Sequence, residues 1–275
     1  MSISLLYNSS ASFVSQSLER ATSNTGRHSQ RLSTGVKINS ASDDAAGLGL
    51  SKKLSAQVSS SDMAKNNAQT GVNLLQTAES DLAQIGEYLQ RLRDLSVQSS
   101  NGVYSDSERA SLDAEFTQLK SEIVRTSVSS SFSDQKLLGS LTTNITLQIG
   151  TNNNAEDKFD ITLHRGFGTA FLAAHGVETV TDARLSMDAL DAAISANSFE
   201  RSSIGAMVNR LSSLISRTDS RQDNLSAAAS KIVDADMAVE SAGLTKGQIL
   251  RQSSVALLQQ ANQTSGETAL TLLRQ

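Results

Sequence analysis

The stretch Arg31–Gly47 reads RLSTGVKINSASDDAAG and separates a shorter helical pattern from a much longer one. Gly35 can adopt the positive φ with which many helices end. Ser40, Ser42 and the Asp43–Asp44 pair are residue types that cap the next helix and place acids in its first turn. The stretch therefore predicts a helix that stops, turns and restarts.

The pattern downstream of this turn predicts one very long helix. Its small and apolar residues recur at spacings of three and four, as in a coiled-coil seam. They are Leu50, Leu54, Gln57, Ser61, Ala64, Ala68, Gly71, Leu75, Ala78, Leu82, Ile85, Leu89 and Leu92. A continuous helix of about 55 residues would be on the order of 80 Å long, and a run of that length favours a rod over a globule. Asn101–Gly102 then predicts a turn, and Ser105–Glu108 the cap of a third helix.

Both ends of the chain carry thinner seams. The N-terminal seam comprises Tyr7, Ala11, Val14, Leu18, Ala21, Thr25, His28 and Leu32. From Ala235 onward the apolar positions are Val239, Ile249, Leu250, Val255, Leu258, Leu270 and Leu273. Each segment has too few large apolar residues to bury a stable core alone. We therefore expect them to pair with each other and with further copies, through Leu18, Leu32, Ile249, Val255, Leu258, Leu270 and Leu273. His28 is expected to pack or be partly exposed, since no second metal ligand lies one turn away.

The middle of the chain changes character. Leu141–Ile149 and Lys158–Leu163 alternate between apolar and polar residues around a turn at Gly150–Asn154, which predicts a β-hairpin. An irregular stretch follows to about Thr179, and helical periodicity resumes at Leu185 and continues to Ile232.

Composition and motifs disfavour an enzyme. The net charge is −4 with both signs interspersed, which gives no electrostatic case for nucleic acid or an anionic membrane. There is no cysteine, no phosphate-binding glycine loop and no repeating histidine pattern, so we expect no cofactor. Asp234 and Asp236, with Asp223, are interpreted as solvated acids near a helix start rather than a carboxylate site. No apolar run is long enough to span a bilayer, and no cleavable secretory signal is evident.

The run Arg31–Gly47 closely resembles the signature of bacterial flagellins. The resemblance covers about Leu5 to Leu138 and about Leu185 to Arg274. It includes Ile232–Ala238 (IVDADMA), Leu244–Leu250 (LTKGQIL) and Ala261–Gln263 (ANQ) near the C-terminus. Hook–filament junction proteins share the two-ended plan but typically place prolines around the aspartate pair, whereas this chain contains no proline.

The resemblance implies a mainly α fold: an elongated helical rod with paired N- and C-terminal coiled-coil helices and a small β-hairpin region. The implied domains are residues 1–42 with 235–275 (inner coiled coil), 43–140 with 180–234 (helical rod) and 141–179 (hairpin and short variable insert). The implied function is self-assembly into the extracellular flagellar filament, the propeller of swimming bacteria. The implied partners are further copies, an export chaperone, the filament cap and the hook-associated junction proteins, with export by flagellar type III secretion without signal cleavage.

One segment resembles the part of enteric flagellins that Toll-like receptor 5 recognises. Gln90, Arg91 and Leu95 match that motif, and Glu115 matches its neighbour on the next helix. Leu92 and Ser96 stand where the family more often has Val and Ala. The resemblance implies a receptor site, and the same residues are also expected to serve subunit packing.

A monomeric helical binding module, secreted or cytosolic, is the alternative interpretation. Sedimentation under polymerising salt separates the two, because only a filament subunit grows into large assemblies.

Overall fold

The computed structural model describes residues 8–139, 142–164 and 175–273, without the side chains of 268–273. Within these residues the helices are α1 (Ser9–Thr34), α2 (Ala45–Ser99), α3 (Asp106–Ser129), α4 (Val180–Val233) and α5 (Met237–Leu273). The strands are β1 (Ser131–Phe132), β2 (Gln135–Lys136), β3 (Thr142–Gln148) and β4 (Lys158–His164). The predicted mainly α architecture is confirmed, and so is the 55-residue helix α2. Among the described helices, none has the length and hydropathy needed to cross a bilayer.

The turn between α1 and α2 begins as the sequence predicts. Gly35 adopts a φ of 71°, and its N–H donates to the carbonyl of Arg31 at 2.8 Å. The C-terminus of α1 is therefore closed by a left-handed residue, a conformation that glycine adopts without steric cost.

The predicted cap of α2 is wrong, because neither Ser40 nor Ser42 lies at the helix start. Asp44 caps the helix, and its Oδ1 accepts the N–H of Gly47 at 2.9 Å. Asp43 folds back on the turn instead. Its Oδ2 accepts the backbone N–H groups of Ser40 and Asn39, both at 3.1 Å, and these bonds lower the pKa of Asp43 below its usual range.

The cap of α3 is confirmed. Ser105 Oγ accepts the N–H of Glu108, and Glu108 Oε2 accepts the N–H of Ser105 at 2.8 Å, which completes a capping box. The hydrogen bond from the Ser105 backbone lowers the pKa of Glu108.

The chain forms two compact units. The terminal unit contains the residues up to Ala56 together with those from Leu225 onward, and the middle unit spans Gln57–Asn224. Their boundaries fall inside α2 and α4, whereas the predicted domain limits fall at the turns. The three-part division stays a prediction.

The middle unit contains the main hydrophobic core. It is built from α2, α3, the strand β4 and α4. Its fully buried side chains include Leu75, Leu82, Ile85, Leu89, Leu92 and Leu95 of α2, Phe116 and Ile123 of α3, Ile161 and Leu163 of β4, and Leu190 and Leu211 of α4. The seam predicted for α2 is thus the buried face of the helix from Ser61 to Leu92.

The predicted hairpin is confirmed. Strands β3 and β4 pair antiparallel, with Ile145 opposite Ile161 and Leu147 opposite Phe159. Leu147 lies against Gly71 of α2, where a Cβ atom would overlap its Cδ1. A glycine on the α2 seam therefore makes room for the hairpin.

The two segments of the terminal unit that carry the strongest family resemblance meet in the structure. Val36 and Asp234 form an antiparallel bridge, and the N–H of Ala235 donates to the carbonyl of Gly35 at 3.0 Å. The turn after α1 thus pairs with the junction between α4 and α5. Asp236 then caps α5, accepting the N–H of Ala238 at 2.9 Å, as expected of an acid at a helix start.

Candidate self-assembly interface

The terminal helices α1 and α5 pack against each other in antiparallel orientation. At one end of the pair, Asn8 Nδ2 donates to the carbonyl of Ala261 at 3.2 Å. At the other end, His28 and Arg31 contact Glu240. The predicted pairing of the two ends is therefore present within a single chain.

This pair buries little apolar surface. Among the described apolar residues of the terminal unit, only Ala21 and Ile38 are buried. Of the residues expected to carry assembly, Leu18, Leu32 and Leu258 are half-buried. Ile249 and Val255 are 58% and 42% exposed, and the side chains of Leu270 and Leu273 lie outside the described residues.

The α5 face that contacts α1 includes only part of the apolar seam predicted for it, since Leu258 is half-buried whereas Ile249 and Val255 are exposed. The buried or half-buried residues Glu240, Gly247, Ser254 and Ala261 recur every seven residues. This heptad row is small and polar, so a search for large apolar residues overlooks it. The seven-residue spacing of this row is the sequence signal that could have identified the contact face.

Several large apolar side chains of the terminal unit face solvent instead. We call Met237, Val239, Ile249, Leu250, Val255 and Leu257 the exposed apolar set of α5; their exposed fractions range from 42% to 62%. Phe13 of α1 is 72% exposed. An open groove next to this set is lined by Leu18, Thr22, Arg251, Gln252 and Val255. These side chains lie on several sides of α5, so the helix presents apolar surface to solvent in more than one direction.

Three polar side chains link α1 to α5, and we call His28, Arg31 and Glu240 the terminal charge cluster. His28 Nδ1 lies 2.5 Å from Glu240 Oε2, and Arg31 Nη1 lies 3.2 Å from Oε1. The Glu240 side chain is only 8% exposed. The hydrogen bond from His28, aided by Arg31, lowers the pKa of Glu240 and keeps the carboxylate ionised. His28 is partly exposed, as expected, but its pairing with Glu240 was not predicted.

The candidate receptor residues lie in the middle unit. Arg91 Nε and Nη2 donate to Glu115 Oε1 at 2.8 and 2.6 Å, and both side chains are about half exposed. Gln90 is also exposed. Leu95 is 1% exposed, so it is not accessible to a receptor in this structure. Its side chain belongs to the core, where it continues the buried row of Leu89 and Leu92.

No metal site is evident in the part of the chain that the structure describes, since no group of three or more His, Cys, Asp or Glu residues is arranged to hold an ion.

Comparison with known proteins gives matches at both ends of the chain. A family model described as the bacterial flagellin N-terminal helical region matches residues 5–143, and one described as the C-terminal helical region matches residues 187–272. The chain is 42% identical over 247 residues to a flagellin of Halalkalibacterium halodurans, covering 89% of this chain and 90% of that protein. It is 35% identical to the flagellar filament 33 kDa core protein of Treponema phagedenis, covering 98% and 99% of the two chains.

Among solved structures, a putative flagellar hook-associated protein from Vibrio parahaemolyticus is similar with a TM-score of 0.58. The identity is 14%, and the match covers 70% of this chain and 100% of the other. At that identity the likeness shows the fold alone.

Proposed function

This chain belongs to the bacterial flagellin family, and from that premise we propose that its terminal helices are what joins one subunit to the next. Members of this family are structural proteins that polymerise into the extracellular flagellar filament, and the chain is such a filament subunit rather than an enzyme. The proposal concerns which surface performs the polymerisation.

The observation that carries this proposal is the imbalance of burial in the terminal unit. Only Ala21 and Ile38 are buried there among the described apolar residues, while the exposed apolar set of α5 faces solvent. Full burial of a large apolar side chain contributes about 1.5–3 kcal/mol, and the side chains of this set, which are 42% to 62% exposed, would gain roughly half of that when covered. A helix pair of this composition gains its stability when copies of the chain cover that set.

Contacts of this kind must be heterologous. A self-complementary patch would close into a dimer, whereas a filament requires that one surface meets a different surface on the next copy. We propose that α1 and α5 supply the two surfaces of this open-ended contact, and that the half-buried Leu18, Leu32 and Leu258 become fully buried in it.

Seeded elongation of the full-length chain tests the proposal. Sheared filaments serve as seeds, and growth is followed by light scattering and electron microscopy. Ile249→Asp places a charge on a side chain that is 58% exposed in the monomer, so it should leave the melting temperature unchanged while preventing elongation, since burying an unpaired charge is costly. Leu185→Asp is the matched control, because Leu185 of α4 is 57% exposed. Normal elongation by Ile249→Asp would contradict the proposal that this part of α5 forms the contact between subunits.

We propose that other flagellar proteins use the same helices before and during assembly. The partners are an export chaperone, the filament cap and the hook-associated junction proteins, and the export route is flagellar type III secretion without signal cleavage. The exposed apolar set of α5 supports this, because a soluble subunit needs that surface covered until it polymerises. Co-purification with a candidate chaperone, and its loss in Ile249→Asp, would test the idea.

A second candidate function is recognition of the monomer by Toll-like receptor 5. It rests on the exposed Gln90, Arg91 and Glu115, whereas the buried Leu95 serves only to hold α2 in place. The Arg91 guanidinium offers a planar set of donors that Lys does not reproduce. Arg91→Ala should weaken binding of the monomer to a receptor ectodomain by about 1–3 kcal/mol, and Arg91→Lys should show part of that loss. Equal binding by the wild type and Arg91→Ala would contradict the proposed receptor site. The filament function does not depend on this result.

A further inference from the structure

The terminal charge cluster is unusual for its burial. Glu240 is the one buried charged residue among the described residues of the terminal unit. Both of its carboxylate oxygens are engaged, one by His28 and the other by Arg31, and both partners come from α1. A buried carboxylate is stabilised where such partners are present, so this arrangement favours the observed alignment of the two helices.

The helices also approach closely beside the cluster, because α5 has glycine there. A Cβ atom on Gly243 would lie 2.6 Å from Cε1 of the His28 ring. A Cβ atom on Gly247 would overlap Thr25 Oγ1 and lie 3.5 Å from Thr25 Cβ. The two glycines thus leave room for Thr25 and His28, two consecutive seam residues of α1. They allow the short distance between the helices at which His28 contacts Glu240.

The apolar seam alone does not select this alignment. Displacing α5 by one heptad preserves the three-and-four spacing of the seam. Because the seam of α1 has few large apolar residues, this displacement would cost little apolar burial. In one direction the displacement places Glu240 opposite Ala21 and Asn24, neither of which is cationic. In the other direction it places Glu240 opposite Gly35 and Ile38, beyond the end of α1. Either displacement takes Glu240 away from both of its partners, and it also breaks the backbone hydrogen bond between Ala235 and Gly35.

We propose that His28, Arg31 and Glu240 set the register in which α1 and α5 pair, and so determine which copies are competent to elongate a filament. The inference rests on the proposed role of the terminal helices in assembly. A polar or charged residue at a seam position is a known means of specifying helix register. Here the carboxylate on α5 is bound by His28 and Arg31, which lie one turn apart on α1.

Disulfide trapping reports the register directly, because the natural chain has no cysteine. The pair Thr25→Cys with Gly247→Cys has a Cβ separation suited to a disulfide in the observed register. The pair Leu18→Cys with Gly247→Cys is its matched control, since Leu18 lies one heptad before Thr25 and bonds only in the displaced register. In an otherwise natural chain the first pair should cross-link and the second should not, both in the soluble protein and in filaments.

Glu240→Gln removes the charge and keeps the shape of the side chain. In that background the displaced pair should gain cross-links by about tenfold or more, and seeded elongation should slow by about a hundredfold. Glu19→Gln makes the same chemical change at an exposed position of α1 and should alter neither readout.

The two readouts separate the inference from the function on which it rests. If the natural chain fails to elongate, the assembly role of the terminal helices is contradicted, while the cross-link ratio of the soluble chain still tests the register. Cross-links confined to the observed register in Glu240→Gln, with normal elongation, would overturn the proposal. Equal yields from both cysteine pairs in the natural background would overturn it as well.

Discussion

The middle and terminal units are both made mainly of helices with seams of three-and-four spacing, yet only one of them contains a substantial core. In the middle unit, Leu89 of α2 and Phe116 of α3 belong to a continuous cluster of fully buried side chains. In the terminal unit, α5 meets α1 through a heptad row of small and polar residues. The larger apolar side chains of the two helices are half-buried, as at Leu18, or exposed, as at Ile249. The same periodicity therefore accompanies a well-packed core in one region and exposed apolar side chains in the other. The difference lies in the size of the seam residues.

Limited proteolysis should reveal the largest difference between the units. Local opening of the terminal helices costs little, whereas opening the middle unit requires breaking its core. Trypsin should therefore cleave the soluble chain at sites such as Arg20, Arg27, Lys246 and Arg251 at least ~100-fold faster than within the middle unit. Mass spectrometry should find a persistent fragment that contains most of residues 57–224. An intact monomer that resists trimming at both ends would contradict the comparison.

Truncating core and surface leucines should show the next largest difference. Leu89 is 0% exposed and Leu257 is 54% exposed. Leu89→Ala should lower the free energy of unfolding by about 2–5 kcal/mol through lost burial and a cavity, and Leu257→Ala by less than about 0.5 kcal/mol. Urea denaturation of the monomer measures both changes in the free energy of unfolding. Equal changes would contradict the conclusion that only the middle unit has a substantial core. In the elongation assay the order should reverse, since Leu257 is covered only in the filament.

Glycine replacements sharpen the comparison within the terminal unit. Gly26 of α1 has no neighbouring atom within 4 Å of a built Cβ, whereas Gly243 meets the His28 ring. Gly26→Ala should stabilise α1 by about 0.5–1 kcal/mol. Gly243→Ala should instead weaken the pairing of α1 with α5 by about 1–3 kcal/mol, because the ring must leave Glu240. Helix content in assembled filaments and elongation rates measure the two outcomes, and a stabilising Gly243→Ala would show that the close approach is not required.

Acid should produce the smallest effect, and its sign follows from the lowered pKa of Glu240. A carboxyl whose pKa is lower in the folded state stabilises that state above its ordinary value of 4.5, and the contribution is lost as the pH falls through the lowered value. Protonated Glu240 would leave His28 and Arg31 facing a neutral group. Cross-linking between Thr25→Cys and Gly247→Cys, allowed to reach completion at pH 6 and at pH 3.5 with a pH-independent oxidant, should decline at the lower pH. The same measurement in the Glu240→Gln background should vary less with pH, and a parallel decline in both would assign the acid effect to other groups.

Several elements were predictable because their determinants are local. Gly35 ends α1 because glycine accepts a positive φ, and Ser105 with Glu108 forms the predicted capping box. The long seam of α2 and the alternation of β3 and β4 also predicted the elements that form. The N-terminus of α2 was not predicted, because Ser40, Ser42, Asp43 and Asp44 are all acceptable caps, and the fold of the turn selects Asp44.

The candidate sites were less predictable. Leu95 matches a receptor motif by sequence, but the packing of α2 places it in the core. Ile249 and Val255 are apolar and were placed on the assembly seam, although the face of α5 that contacts α1 carries Glu240, Gly247 and Ser254.

The sequence by itself determined the family, the helical periodicity, the turns and the hairpin, since each depends on residues that are near neighbours along the chain. The tertiary structure decided which face of each helix is covered, because coverage depends on residues from distant parts of the chain. Glu240 shows the difference most plainly. On α5 alone it is one acid in the first turn of a helix. His28 and Arg31, which come from more than 200 positions away, make it a buried carboxylate with both oxygens engaged, because a charge removed from water needs its partners in place.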